Sequence, residues 1–116
     1  GGGVGTTPLF YVVYFFCKQN VGRDPKCLEI IEMLLQRGGD PNINTQTIEM
    51  GPLTWCAKEN MKPGTNEPDQ EVLSLIRLMV RYGLNVDAYP KRKAAILADT
   101  KNQTYSKEFK EVLGLA

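Results

Sequence analysis

Apolar positions along the chain fall into helical spacing in four stretches. Leu28, Ile31, Leu34 and Leu35 follow an i, i+3, i+6, i+7 course, and Leu73, Ile76, Met79 and Val80 repeat it. Such spacing places each set on one stripe of a helix. The run Leu9 to Cys17 differs in being apolar almost all round, which implies burial on more than one side. A weaker run of that kind opens at Pro52-Leu53-Thr54-Trp55-Cys56.

Local signals bound these helices. Pro8 and Pro52 suit a first helical turn, where the missing N–H would have no partner, and predict first helices over roughly 7–18 and 51–61. Asp24-Pro25 and Glu67-Pro68-Asp69 open the second helices, each with a proline at the first helical position and acidic groups at the positive end of the dipole. Gly38 and Gly83 stand where a chain leaving a helix turns left-handed, with Arg37 and Arg81 in the negative last turn. The segments 40–44 and 85–88 are polar, turn-rich and too short for helices.

These landmarks recur. Pro8 to Pro52 is 44 positions and Gly38 to Gly83 is 45, a period in the range of stacked repeats. A lone helix pair of this size cannot bury both of its surfaces, so each unit needs its neighbour for a continuous core.

The residues resemble the ankyrin repeat family, whose unit opens with Gly-x-Thr-Pro-Leu-His-x-Ala and closes with Leu-Leu-x-x-Gly-Ala-Asp-x-Asn. Gly5-Thr6-Thr7-Pro8-Leu9-Phe10-Tyr11-Val12 matches the opening with Phe10 for His and Val12 for Ala. The stretch from Leu34 to Asn42 matches the close with Gly39 for Ala. In the second unit Gly51, Thr54 and Cys56 replace Thr, His and Ala, while Met79 to Asp87 keeps the closing frame. The family period is about 33 residues, so each unit carries a surplus, which falls between its helices at Lys18–Asp24 and Lys62–Glu67. After Ala88 the pattern fades. The usual interval from Gly83 puts a third opening near Ala95-Ile96-Leu97-Ala98, with Lys107 to Leu113 as its second helix, Phe109, Val112 and Leu113 facing in. This reads as a degenerate capping repeat, since an end unit needs a solvated outer face.

The resemblance implies an all-α solenoid in a single domain over 1–116, with repeats over roughly 5–42 and 49–88 and a cap over 89–116. It also implies a non-catalytic protein-binding module using hairpin tips and the concave groove. Carried onto this chain, the hairpin positions are Thr47, Ile48 and Met50, then Lys91, Arg92 and Ala94. The groove positions are Tyr14, Phe15, Lys58 and Glu59. Two alternatives stand beside this reading: a substrate-recruiting segment of a larger enzyme or effector, and a nucleic-acid contact through the basic C-terminal part.

Composition narrows the chemistry. The chain has 116 residues, 42% hydrophobic and 23% charged, with 14 Lys+Arg against 13 Asp+Glu, a globular mix with no whole-chain field to gather nucleic acid or an anionic membrane. Residues 89–116 carry six cations and three anions, a regional +3 around Lys91-Arg92-Lys93, against −2 over 1–88. Three adjacent cations make a weak nucleic-acid footprint, and a solvated end explains them. The longest apolar run falls short of a membrane span of about 20 residues.

Histidine is absent, which removes the commonest general base and metal ligand and every Ser/His or Cys/His pairing. The chain is therefore expected to be no enzyme and to hold no cofactor or metal. Gly1 to Gly5 lacks the preceding strand and the following Gly-Lys-Ser/Thr of a phosphate loop. Glu67, Asp69 and Glu71 are explained by charge at a helix start, and Ser74 and Ser106 have no activating base. Cys17, Cys27 and Cys56 are an odd set without zinc spacing, each in an apolar stretch, and read as buried free thiols in a reducing, intracellular compartment. A Cys17–Cys27 bridge would need α-carbons within about 7 Å and is the disfavoured reading. The expected state is a monomer or part of a longer chain.

Overall fold

The computed structural model describes residues 7–18, 23–43 and 49–116. Among them are six α-helices and no strand: α1 (Pro8–Lys18), α2 (Pro25–Gln36), α3 (Pro52–Lys58), α4 (Gln70–Arg81), α5 (Pro90–Ala98) and α6 (Lys107–Val112). Consecutive helices pair as α1 with α2 and α3 with α4, while α1 lies against α3, α2 against α4, and α4 against α6. The described residues are all-α.

The termini of these helices follow their sequence signals closely. Asp24 caps α2 by accepting the Lys26 N–H, and Pro25 takes the first helical position. Gly38 and Gly83 have φ of +96° and +100°, the left-handed turn that releases a chain from a helix. Three details differ from the sequence reading. Pro68 lies before the cap, in an isolated antiparallel bridge with Met61, because the Asp69 carboxylate accepts from the Glu71 and Val72 amides and so starts α4 at Gln70. Helix α3 stops at Lys58, short of residue 61, where Asn60 turns the chain by donating to the Ala57 carbonyl. Ala95 to Ala98, expected to open a third unit, form the end of α5, which starts at Pro90. The last helix stands at Lys107–Val112, with Phe109 buried and Val112 and Leu113 packed against the core.

The core is one cluster running from Leu9, Val13, Phe16 and Cys17 of α1 through Leu53 and Cys56 to Val72, Leu75, Ile76 and Met79 of α4, and on to Ile96 and Phe109. Polar side chains cross between the pairs. Asn42 donates to the Gly83 carbonyl and accepts the Asn85 N–H, at 2.8 and 2.7 Å. Buried Tyr89 donates its hydroxyl to the Pro41 carbonyl at 2.6 Å and accepts the Leu53 N–H at 3.3 Å; burial pushes this phenol well above its usual range. Tyr82 donates to Glu32 at 3.0 Å.

The two ends of this arrangement differ. Ile30 of α2 and Leu75 of α4 stand at equivalent places, yet Ile30 is 46% exposed and Leu75 fully buried. Beside α2 a groove of about 300 Å³ is lined by Pro8, Leu9, Leu34, Gly39 and Ile43 among others. At the other end α6 presents Lys107, Glu108 and Glu111 to solvent.

Candidate aromatic and lysine surface on the first helices

Helix α1 buries Leu9, Val13, Phe16 and Cys17. Because its sequence is aromatic or aliphatic almost throughout, the opposite arc is not polar: Tyr11 and Phe15 are each 50% exposed, and Tyr14 is half-buried. Helix α3 runs alongside and sets Trp55 edge-on to Tyr14, centroids 4.6 Å apart and planes at 74°. Phe15 meets Tyr14 at 5.5 Å, also edge to face. Such pairs contribute about 0.5–1.5 kcal/mol beyond their buried area, so the rings hold one another in place.

Two ammonium groups lie over the indole. Lys58 Nζ lies 4.7 Å from the Trp55 ring centroid and Lys18 Nζ lies 6.0 Å from it, within the reach of a cation–π contact. Both side chains are exposed, and neither belongs to an ion pair among the described residues. Glu59, the next residue, is the half-buried C-cap of α3, its N–H donating to the Trp55 carbonyl at 3.0 Å. The Trp55 Nε1–H is buried without a hydrogen-bond partner among the described residues, an uncommon condition for a buried donor.

Of the expected groove positions, Tyr14, Phe15 and Lys58 are thus brought together around Trp55, with Glu59 adjoining. The described hairpin positions are not part of this cluster. Thr47 and Ile48 lie outside the described residues, and Met50 is half-buried. The carboxylate of Glu49 accepts the N–H groups of Lys91 and Arg92, at 2.9 and 2.7 Å, satisfying two amides that a helix start leaves free. Arg92 also donates to the Tyr105 hydroxyl at 2.9 Å, so its guanidinium fastens α5 to the segment before α6. Lys91 and Ala94 remain exposed.

Sequence reasoning missed Tyr11, Trp55 and Lys18 as members of this surface. The signal was present in the period: Tyr11 and Trp55, like Tyr14 and Lys58, stand 44 positions apart and so occupy the same place in successive units. Phe16, equally aromatic, is buried.

Beneath the surface, the sulfurs of Cys17 and Cys56 approach to 3.7 Å between α1 and α3, and all three cysteines are free. Burial, and then the neighbouring Cys17, pushes the Cys56 thiol well above its usual range. Both side chains are buried out of reach of a reagent, so this pair is inert while the helices stay packed. A thiol reagent added to the native protein is expected to modify half-buried Cys27 first, and Cys17 and Cys56 only at the rate of unfolding, as followed by mass spectrometry.

Among the described residues no group of three or more His, Cys, Asp or Glu side chains could hold a metal ion, and no helix is long and apolar enough to cross a membrane. Comparison with family models, with curated proteins and with solved structures finds no match to this chain.

Proposed function

We propose that this chain is an ankyrin-type solenoid that binds another protein, without catalysis, through the surface of α1 and α3. The supporting features are the two lengthened repeats, the side-by-side helix pairs, and the Asn42 bonds that join one inter-helix turn to its successor. The observation that carries the binding reading is that Tyr11 and Phe15 are half-exposed beside Tyr14 and Trp55. Rigid aromatics offer large contact area at low entropic cost and dominate binding energy where they are clustered. A preformed helical surface also avoids the ordering cost of a flexible one. Three free thiols in apolar settings accord with an intracellular location.

The test is affinity capture with the wild-type chain, Phe15→Ser, and Arg77→Gln, the last an exposed position on α4 away from the aromatic surface. A specific partner is expected to be kept by Arg77→Gln and weakened at least about tenfold by Phe15→Ser, since a central aromatic anchor is commonly worth 2 kcal/mol or more. Partners that tolerate Phe15→Ser and are lost with Arg77→Gln would move the binding surface to α4.

A further inference from the structure

The aromatic surface has a charge character as well as an apolar one. Lys18 and Lys58 both lie over the Trp55 ring, both exposed and neither held by a carboxylate among the described residues. Ion pairs among the described residues join Arg23 to Asp69 and Glu71, Arg81 to Glu32 and Lys93 to Asp87, and leave these two lysines out. Glu59, next to Lys58 in the chain, is half-buried at the end of α3. A ligand lying across Tyr11, Phe15 and Trp55 therefore meets two unneutralised ammonium groups at the edge of an apolar strip.

We infer that the occupant of this surface is an acidic peptide segment that carries apolar side chains between its carboxylates. The inference rests on the binding reading above and adds the chemical class of the partner. Apolar side chains cover the rings of Tyr11 and Phe15. Carboxylates replace water around Lys18 and Lys58, the exposed cations over the indole ring. A nucleic acid fits less well: two lysines neutralise too few phosphates to hold a strand at physiological salt. A basic segment would meet like charge.

Trp55 is the single tryptophan of the chain, so its fluorescence reports on this patch alone. The probes are three end-capped synthetic peptides, alternating glutamate with leucine, glutamine with leucine, and lysine with leucine, together with oligothymidylate. The glutamate–leucine peptide is expected to shift the emission of Trp55 saturably. Its Kd is expected to rise about tenfold in the double variant Lys18→Gln/Lys58→Gln and to rise with ionic strength. Arg77→Gln leaves it unchanged. Both lysines lie outside the core, and circular dichroism verifies that the variants fold. Equal binding of the glutamine–leucine peptide overturns the acidic class while leaving the aromatic binding surface standing. Tighter binding of the lysine–leucine peptide or of oligothymidylate overturns the inference in favour of a basic or a nucleic-acid ligand. No response of Trp55 to any probe overturns both the inference and the surface on which it rests.

Discussion

Asp69→Ala is expected to lower the free energy of unfolding by about 4 kcal/mol, the sum of a lost helix cap and a stranded buried charge. Asp69 is nearly buried, and one carboxylate oxygen accepts the Glu71 and Val72 amides at 3.1 and 3.3 Å, starting α4. Its other oxygen takes the guanidinium of Arg23, with side-chain exposures of 12% for Arg23 and 9% for Asp69. Arg23 in turn donates to the carbonyls of Phe16 and Cys17, at 3.1 and 3.3 Å, closing the end of α1. Removing the carboxylate thus loosens two helix ends and leaves a cation poorly solvated.

Burial by itself lowers the proton affinity of Arg23, but its hydrogen bond to Asp69 and the charges of Asp69 and Glu71 outweigh that and hold it above its ordinary range. The guanidinium stays charged. Asp69→Asn, which keeps a capping oxygen and loses the charge, is expected to cost about half as much. Urea denaturation at unchanged m-value is the measurement. A loss below about 1 kcal/mol for Asp69→Ala would show that the pair behaves as an ordinary surface ion pair.

The second large effect is expected at Asn60, 2% exposed. Its amide nitrogen donates to the carbonyls of Ala57 and Thr104, at 2.8 and 3.0 Å, and its oxygen accepts the Ser106 N–H at 2.9 Å. One side chain therefore ends α3 and fixes the segment that leads into α6. Asn60→Ala removes three hydrogen bonds to backbone groups, those of Ala57 and Ser106 in buried residues, and is expected to cost about 3 kcal/mol. The corresponding fall in Tm is on the order of 10 °C for a domain of this size, read by circular dichroism. Ser106→Ala removes only the bond in which the Ser106 hydroxyl accepts the Phe109 N–H and should cost about 1 kcal/mol. Equal melting of the two variants would mean that Asn60 acts only through the α6 cap.

What could be read from the sequence was local. Asp24, Gly38 and Gly83 announce helix ends through the conformations that their own side chains, or lack of them, permit. The apolar stripes put Ile31, Leu35, Leu73, Ile76 and Met79 inside, where they are buried, while Leu28 and Leu34 of the same stripes are half-buried and Val80 is exposed. Counting from Gly83 at a fixed interval misses the start of α5 at Pro90. Pro90 follows Pro52 by 38 positions instead of 44, and the cations after it hide the apolar run that marked the earlier openings.

The site was legible in residue types and not in orientation. An aromatic run such as Tyr11 to Phe16 gives no polar position to mark the outer arc. Which ring faces outward is decided only by where α3 lies, and that depends on contacts distant in sequence. The spacing between Lys18 and Trp55 is likewise set by the packing of α1 on α3.

Tyr89 carries a consequence for how the molecule comes apart. Its hydroxyl, at the threshold of the last helix pair, is shared between Pro41, which leaves the first pair, and Leu53, which opens the middle one. A single atom thereby ties the turn after α2, the start of α3 and the N-cap of α5. None of the three can part from the others without breaking a bond at that oxygen.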